Sequence, residues 1–139
     1  MSSVCLSCSF KKNLFSLILT TGGKVEYKRV DYIKDSEFLE TPLMTLIYVF
    51  DIGLNILRMY IEEHPDVDSV VFECNNSTFI KWIQQGYSRD EYLINFSRVL
   101  EHLNDIPVMY SLSYSKKPRA CMFLDVKYIQ REKLEGLLD

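Results

Sequence analysis

The stretch VVFECNNSTFIKWI, Val70 to Ile83, reads as a buried strand that stops at two asparagines and restarts as a helix. The end of such a strand is where α/β enzymes often carry a catalytic carboxylate, and here the chain has Asn75 and Asn76. An asparagine can ligate a metal through its carbonyl oxygen but brings no negative charge. Its other role at this place is to cap the following helix, for which Asn and Ser are well suited. Other chemistry has thinner support. CLSC, Cys5 to Cys8, has zinc-like spacing, yet no second CxxC or HxxxH accompanies it. On a strand, residues three apart point to opposite faces, so the two thiols would not share a metal. The two histidines, His64 and His102, fall near predicted helix ends, where imidazole interacts favourably with the helix C-terminus. No GxSxG, phosphate loop or HExxH occurs.

The frame that must position these groups is bounded by composition. At 139 residues, 47% hydrophobic and 13% aromatic, the chain fits a single domain spanning 1–139 with a sizeable core. A net charge of −3 does not indicate a strongly basic nucleic-acid module. The N-terminus has no basic region leading into an apolar run, so no signal peptide is expected. Asp51, Asn55 and Arg58 interrupt the apolar run near Leu46 to Phe50, and no transmembrane helix is expected. Four cysteines in such a chain read as reduced core thiols, which implies a cytoplasmic location. Asn75 to Thr78 contains overlapping glycosylation sequons, which read as chance without a secretion signal.

The element order follows from periodicity and punctuation. Ser3 to Phe10 predicts a short strand. KNLFSLILTT and KVEYKRVDYI flank Gly22-Gly23 and predict a hairpin. Thr41 and Pro42 open a long helix that runs to His64, apolar on nearly all sides in its first half and therefore buried. Gly53 suits a close crossing of the sheet. DSVVFEC is a buried strand, most simply parallel to an earlier one. Ser77 or Thr78 caps a short helix stopped at Gly86. Ser88 to Glu91, SRDE, has the form of a capping box, ahead of a helix whose stripe is Tyr92, Leu93, Phe96, Val99, Leu100 and Leu103. PVMYSLSY predicts a further strand. ACMFLDVKYI, Ala120 to Ile129, fits either a strand, with Ala120, Met122, Leu124, Val126 and Tyr128 on one face, or the start of a terminal helix.

Three strands, a long helix, a strand, helices, a strand and a terminal segment resemble the ribonuclease H-like fold, with VVFECNNSTFIKWI similar to that family's strand ending in Asp-Ser before a helix. The resemblance implies a mixed five-stranded α/β sheet, its first three strands antiparallel, with helices on both faces. It also implies where two-metal chemistry would sit, since two divalent ions clamping a phosphodiester need several converging carboxylates. The first-strand aspartate should fall within VCLSCSF, which has no carboxylate. The helix glutamate appears as Thr45 and the second-strand aspartate as Asn75. The last carboxylate falls to Asp125 or Glu132.

Two functions follow. One is a non-catalytic module of this fold, without cofactor or metal, that binds a protein partner or itself; small domains of this type also occur as bacterial or phage accessory proteins. Nine tyrosines and eight phenylalanines exceed what a small core needs, and exposed aromatics favour protein interfaces. Nucleic acid would bind weakly, through Lys116, Lys117 and Arg119 with Lys11 and Lys12, unless these are ordinary solvated turns. The other is a divalent-metal-dependent nuclease whose site is rebuilt from displaced carboxylates, Glu73 and Asp125 with Asp31 or Asp51.

Overall fold

A computed structural model describes residues 2–124. Five strands form one sheet: β1 (Ser2–Lys11), β2 (Leu14–Thr21), β3 (Lys24–Tyr32), β4 (Val67–Cys74) and β5 (Met109–Tyr114). Their spatial order is β3-β2-β1-β4-β5. The first three are antiparallel, and β4 joins β1 in parallel, with Leu6 opposite Phe72 and Ser7 opposite Glu73. Gly22 and Gly23 both take positive φ at the β2–β3 turn, as the tight hairpin requires.

β1 alternates cleanly. Val4, Leu6 and Cys8 enter the main core, while Ser7 and Ser9 are buried on the opposite face. The main core is closed by α1 (Pro42–Glu63), whose N-cap Thr41 accepts a hydrogen bond from the Met44 amide. By length and composition α1 is apolar enough to span a bilayer, although the sequence had predicted no such helix. Here Leu46, Val49, Phe50, Leu54 and Leu57 are buried against the rest of the core. Its crossing point is Gly53, where a Cβ would stand 3.0 Å from Leu6 Cδ2 and 3.2 Å from Leu17 Cδ2. Only a residue without a side chain lets the helix axis approach the sheet this closely without displacing a leucine.

α2 (Ser77–Gln85) and α3 (Leu93–Asn104) complete the layer through Phe50, Phe72, Phe79 and Phe96, which meet edge to face at centroid distances of 5.0 to 6.2 Å. The other face carries the short 3-10 helix Arg119–Leu124, which buries Ala120 and Phe123 with Ile18.

Several local expectations are corrected. The cap of α2 is Asn76, not Ser77 or Thr78; its Oδ1 accepts from the Phe79 amide at 2.9 Å. SRDE forms no capping box: Ser88 Oγ bonds the Arg89 carbonyl, and Asp90–Tyr92 is a separate 3-10 turn. That turn sends Tyr92 into the core beside Trp82 and leaves Leu93 exposed. Of the two readings left open for Ala120 to Ile129, Ala120–Leu124 takes the helical one, with Met122 60% exposed, and backbone N–H groups at its start bond to Glu73 and Ser7. Residues 125–129 of that segment lie outside the described residues.

Candidate functional site

In the parallel register the last paired residues are Ser7 and Glu73, and one residue further on each strand stand Cys8 and Cys74. Both thiols are in the main core, 1% and 2% exposed. Strand β4 ends at Cys74, so Cys74 occupies the strand-end place that the sequence assigned to Asn75. Asn75 itself is exposed, in the bend beyond the strand. Thr45 is buried on α1 and its hydroxyl donates to the Phe38 carbonyl at 2.6 Å, with the Thr41 carbonyl at 3.1 Å. The groove at this end of α1 is lined by Phe10, Lys12, Asn13, Leu39, Thr41, Pro42 and Thr45. Its single charged lining residue is a lysine.

Electrostatics keep the thiols neutral. Burial pushes Cys8 well above the usual thiol range, and Cys74, Cys5 and Glu73 nearby push it further. Burial also raises Cys74, partly offset by a backbone hydrogen bond from Asn76 and reinforced by Glu73. A thiol must lose its proton to bind a metal, and a hard divalent cation requires oxygen anions. Cys8, Thr45 and Cys74 therefore do not fit the two-metal arrangement that the fold implies.

The displaced carboxylates are distributed rather than gathered. Glu73 points to the face away from α1. Its Oε1 accepts from Ser7 Oγ at 2.9 Å and from the Arg119 amide at 2.7 Å. Ser7 Oγ in turn accepts from the Ala120 amide at 3.0 Å. This network pins the 3-10 helix to the sheet. Asp51 lies on α1 and contacts His102 Nδ1 of α3. Asp31 is on the edge strand β3, in register with Phe15 on the α1 side, and pairs with Arg29 at 3.3 Å. Three strand spacings, about 14 Å, and the sheet itself separate it from Glu73. Asp125 lies outside the described residues. Among the described residues, no three of His, Cys, Asp and Glu come together as a metal-holding group.

The basic residues fall into two groups. Lys11 ends β1 and Lys12 opens the β1–β2 turn, where it takes a φ of 56°. Lys117 and Arg119 line a groove with Gly23 of the β2–β3 turn, and Arg119 Nη1 donates to Thr20 Oγ1. The two turns lie at opposite ends of β2, about 25 Å apart. Lys116 is exposed in the same loop as Lys117. Cys5 is half-buried on the other side of β1 from Cys8, as the strand spacing predicted. Sequence reasoning missed the Asp51–His102 pair, the Cys8–Cys74 neighbourhood and the Glu73 network, because each joins distant segments.

No family model matches the chain, and the search for curated relatives found none. Solved structures do match. RNase H1 from the halophilic archaeon Halobacterium salinarum NRC-1 aligns with a TM-score of 0.59 at 14% identity, over 94% of this chain and 98% of that one. The N-terminal RNase H domain of rv2228c from Mycobacterium tuberculosis aligns at 0.57 and 8% identity, over 98% and 99%. LC11-RNase H1, solved in complex with an RNA/DNA hybrid, aligns at 0.57 and 13%, over 84% and 88%. The fold is ribonuclease H-like, a mixed five-stranded α/β sheet with the predicted parallel pair of β1 and β4.

Proposed function

We propose that this chain is a non-catalytic ribonuclease H-like module that acts by binding a protein. The observation that carries the reading is the neutral, buried set of Cys8 on β1, Thr45 on α1 and Cys74 at the end of β4, where the fold's hydrolases would need converging carboxylates. The dispersal of Glu73, Asp31 and Asp51 supports it, since the sheet lies between the first and the other two. Exposed aromatics, Tyr87 at 64% and Tyr114 at 57%, support a protein partner over nucleic acid, as does the division of the basic residues. All four cysteines are free, which fits a reducing compartment such as the cytoplasm.

The test is a melting curve with millimolar magnesium or manganese, paired with an assay for cleavage of an RNA–DNA hybrid. A cation at a hundred times its dissociation constant would stabilise the fold by about 2.7 kcal/mol and raise the melting temperature by roughly 4 °C. Neither that shift nor cleavage is expected. Both appearing, and both vanishing in Glu73→Gln, would install the rival reading: a metal-dependent nuclease built on Glu73 and Asp125 with Asp31 or Asp51.

A further inference from the structure

The two edges of the sheet are built differently. The β3 edge carries Lys24, Glu26, Lys28, Arg29 and Asp31, and its pairing with β2 slips register between Leu19 and Thr20. Charges and irregularities of this kind are what soluble proteins use to stop an edge strand from recruiting another. The β5 edge has none of them. Its sequence, MYSLSY, has no charge and no proline, and its register with β4 is unbroken from Met109 to Tyr114. Among the described residues, no strand pairs with its outer side. Met109 is 82%, Tyr110 42% and Tyr114 57% exposed.

We infer that β5 is a self-association edge at which a second copy of this chain adds its own β5 antiparallel, extending the sheet across a two-fold axis. Three features select a second copy. An axis perpendicular to the sheet keeps both α1 layers on one side, so residues of the same face must lie opposite one another. Tyr110, Leu112 and Tyr114 share that face, in register with Val70, Phe72 and Cys74. Centring the axis on Leu112 sets Leu112 against its twin and Tyr110 against Tyr114 on either side, the aromatic cross-strand pairing that stabilises antiparallel ladders. The charges outside the strand are also complementary. Antiparallel pairing brings Lys116 and Lys117, which follow β5, to the end where the other copy's Asp105, which precedes it, stands. A single strand pair buries less than a standard interface, so the dimer is weak and shows itself at high concentration. This names the partner in the binding-module reading, and the cleavage assay tests that reading separately.

The experiment is sedimentation velocity of the full chain from about 1 µM to about 1 mM, a range that brackets a weak interface. A reversible monomer–dimer shift is expected. It should weaken by about tenfold or more in Ser111→Lys/Ser113→Lys, where each lysine stands opposite a lysine of the other copy, and persist in the β3-edge control Val25→Lys. Hydrogen exchange of the unsubstituted chain at low and high concentration reads the same edge without mutation: β5 amides should slow with concentration and β3 amides should not. A chain monomeric throughout, a dimer indifferent to the β5 lysines, or concentration-independent β5 exchange would each overturn the proposal.

Discussion

Ser7 Oγ donates to Glu73 Oε1 at 2.9 Å, between directly paired positions of the parallel strands β1 and β4. The carboxylate also receives the Arg119 amide, so this acid of the candidate site is spent on holding a helix in place. Replacing it by leucine strands the Ser7 hydroxyl and a backbone amide, which should cost about 1–3 kcal/mol in urea unfolding. Glu73→Gln retains the accepting oxygen and should lose clearly less. Equal losses in the two variants would show that the charge, rather than the acceptor, is what the network needs.

The paired asparagines should separate in their effects. Asn76→Ala removes the side chain that accepts from the Phe79 amide and should destabilise by about 1 kcal/mol. Asn75→Ala touches an exposed bend and should fall within about 0.5 kcal/mol of the parent. Denaturation midpoints of the two variants check this, and a larger loss at Asn75 would contradict the assignment of the cap.

Much of the fold was legible because its signals are local. Thr41-Pro42 and the all-round apolar run announce α1, Gly22-Gly23 announces the hairpin, and Ser3 to Phe10 reads as a strand. The site was less legible. Whether Cys74 or Asn75 ends the strand is a one-residue question of register, and one residue changes which face a side chain joins. Arg119–Leu124 alternates like a strand but coils because Glu73 and Ser7, far back in the chain, offer acceptors for its amides. SRDE has the letters of a capping box, yet burying Tyr92 beside Trp82 and against the Thr41 hydroxyl moves the start of α3 beyond it.

The buried thiols predict an alkaline limit. Cys8 is raised from an ordinary value of 9.0, so its neutral form is favoured in the fold. Its contribution is fully present below about pH 9 and is lost as pH rises toward the folded value, because the unfolded thiol ionises first. Stability of the wild type should therefore fall more steeply above pH 9 than that of Cys8→Ala, with parallel curves below it. Unfolding free energies at pH 7, 9 and 10.5 measure the difference. Curves that stay parallel throughout would show that Cys8 is not held neutral.

Gly53 should respond to size rather than to helix propensity. Alanine gains up to about 1 kcal/mol of propensity and meets only the ends of Leu6 and Leu17, so Gly53→Ala should be nearly neutral. Gly53→Leu must push α1 away from β1 and should cost about 1–3 kcal/mol or more. Thermal melts of both variants test this, and a neutral leucine would mean that the helix sits less tightly on the sheet than described.

The basic residues should act as two separate groups. Binding to single- or double-stranded nucleic acid at about physiological salt should be weak, with a shallow salt dependence. Neutralising Lys116, Lys117 and Arg119 together should change a gel shift little. Tight binding abolished by that triple change would identify the loop as a nucleic-acid site.

The parallel pairing of β1 with β4 also sets an order of events during synthesis. Ser7 and Glu73 are 66 residues apart, with β2, β3 and all of α1 between them. At about 5–20 residues per second, β1 waits roughly 3–13 s for its second neighbour to be made. The β1–β3 meander has only local contacts and can close early, whereas the β1–β4 pairing bears the slow search that long loops impose. For that interval the strand destined for the centre of the sheet is an edge, bordered by the apolar side chains of Val4, Leu6 and Cys8. The nascent chain is thus most open to wrong partners before α1 arrives to cover them.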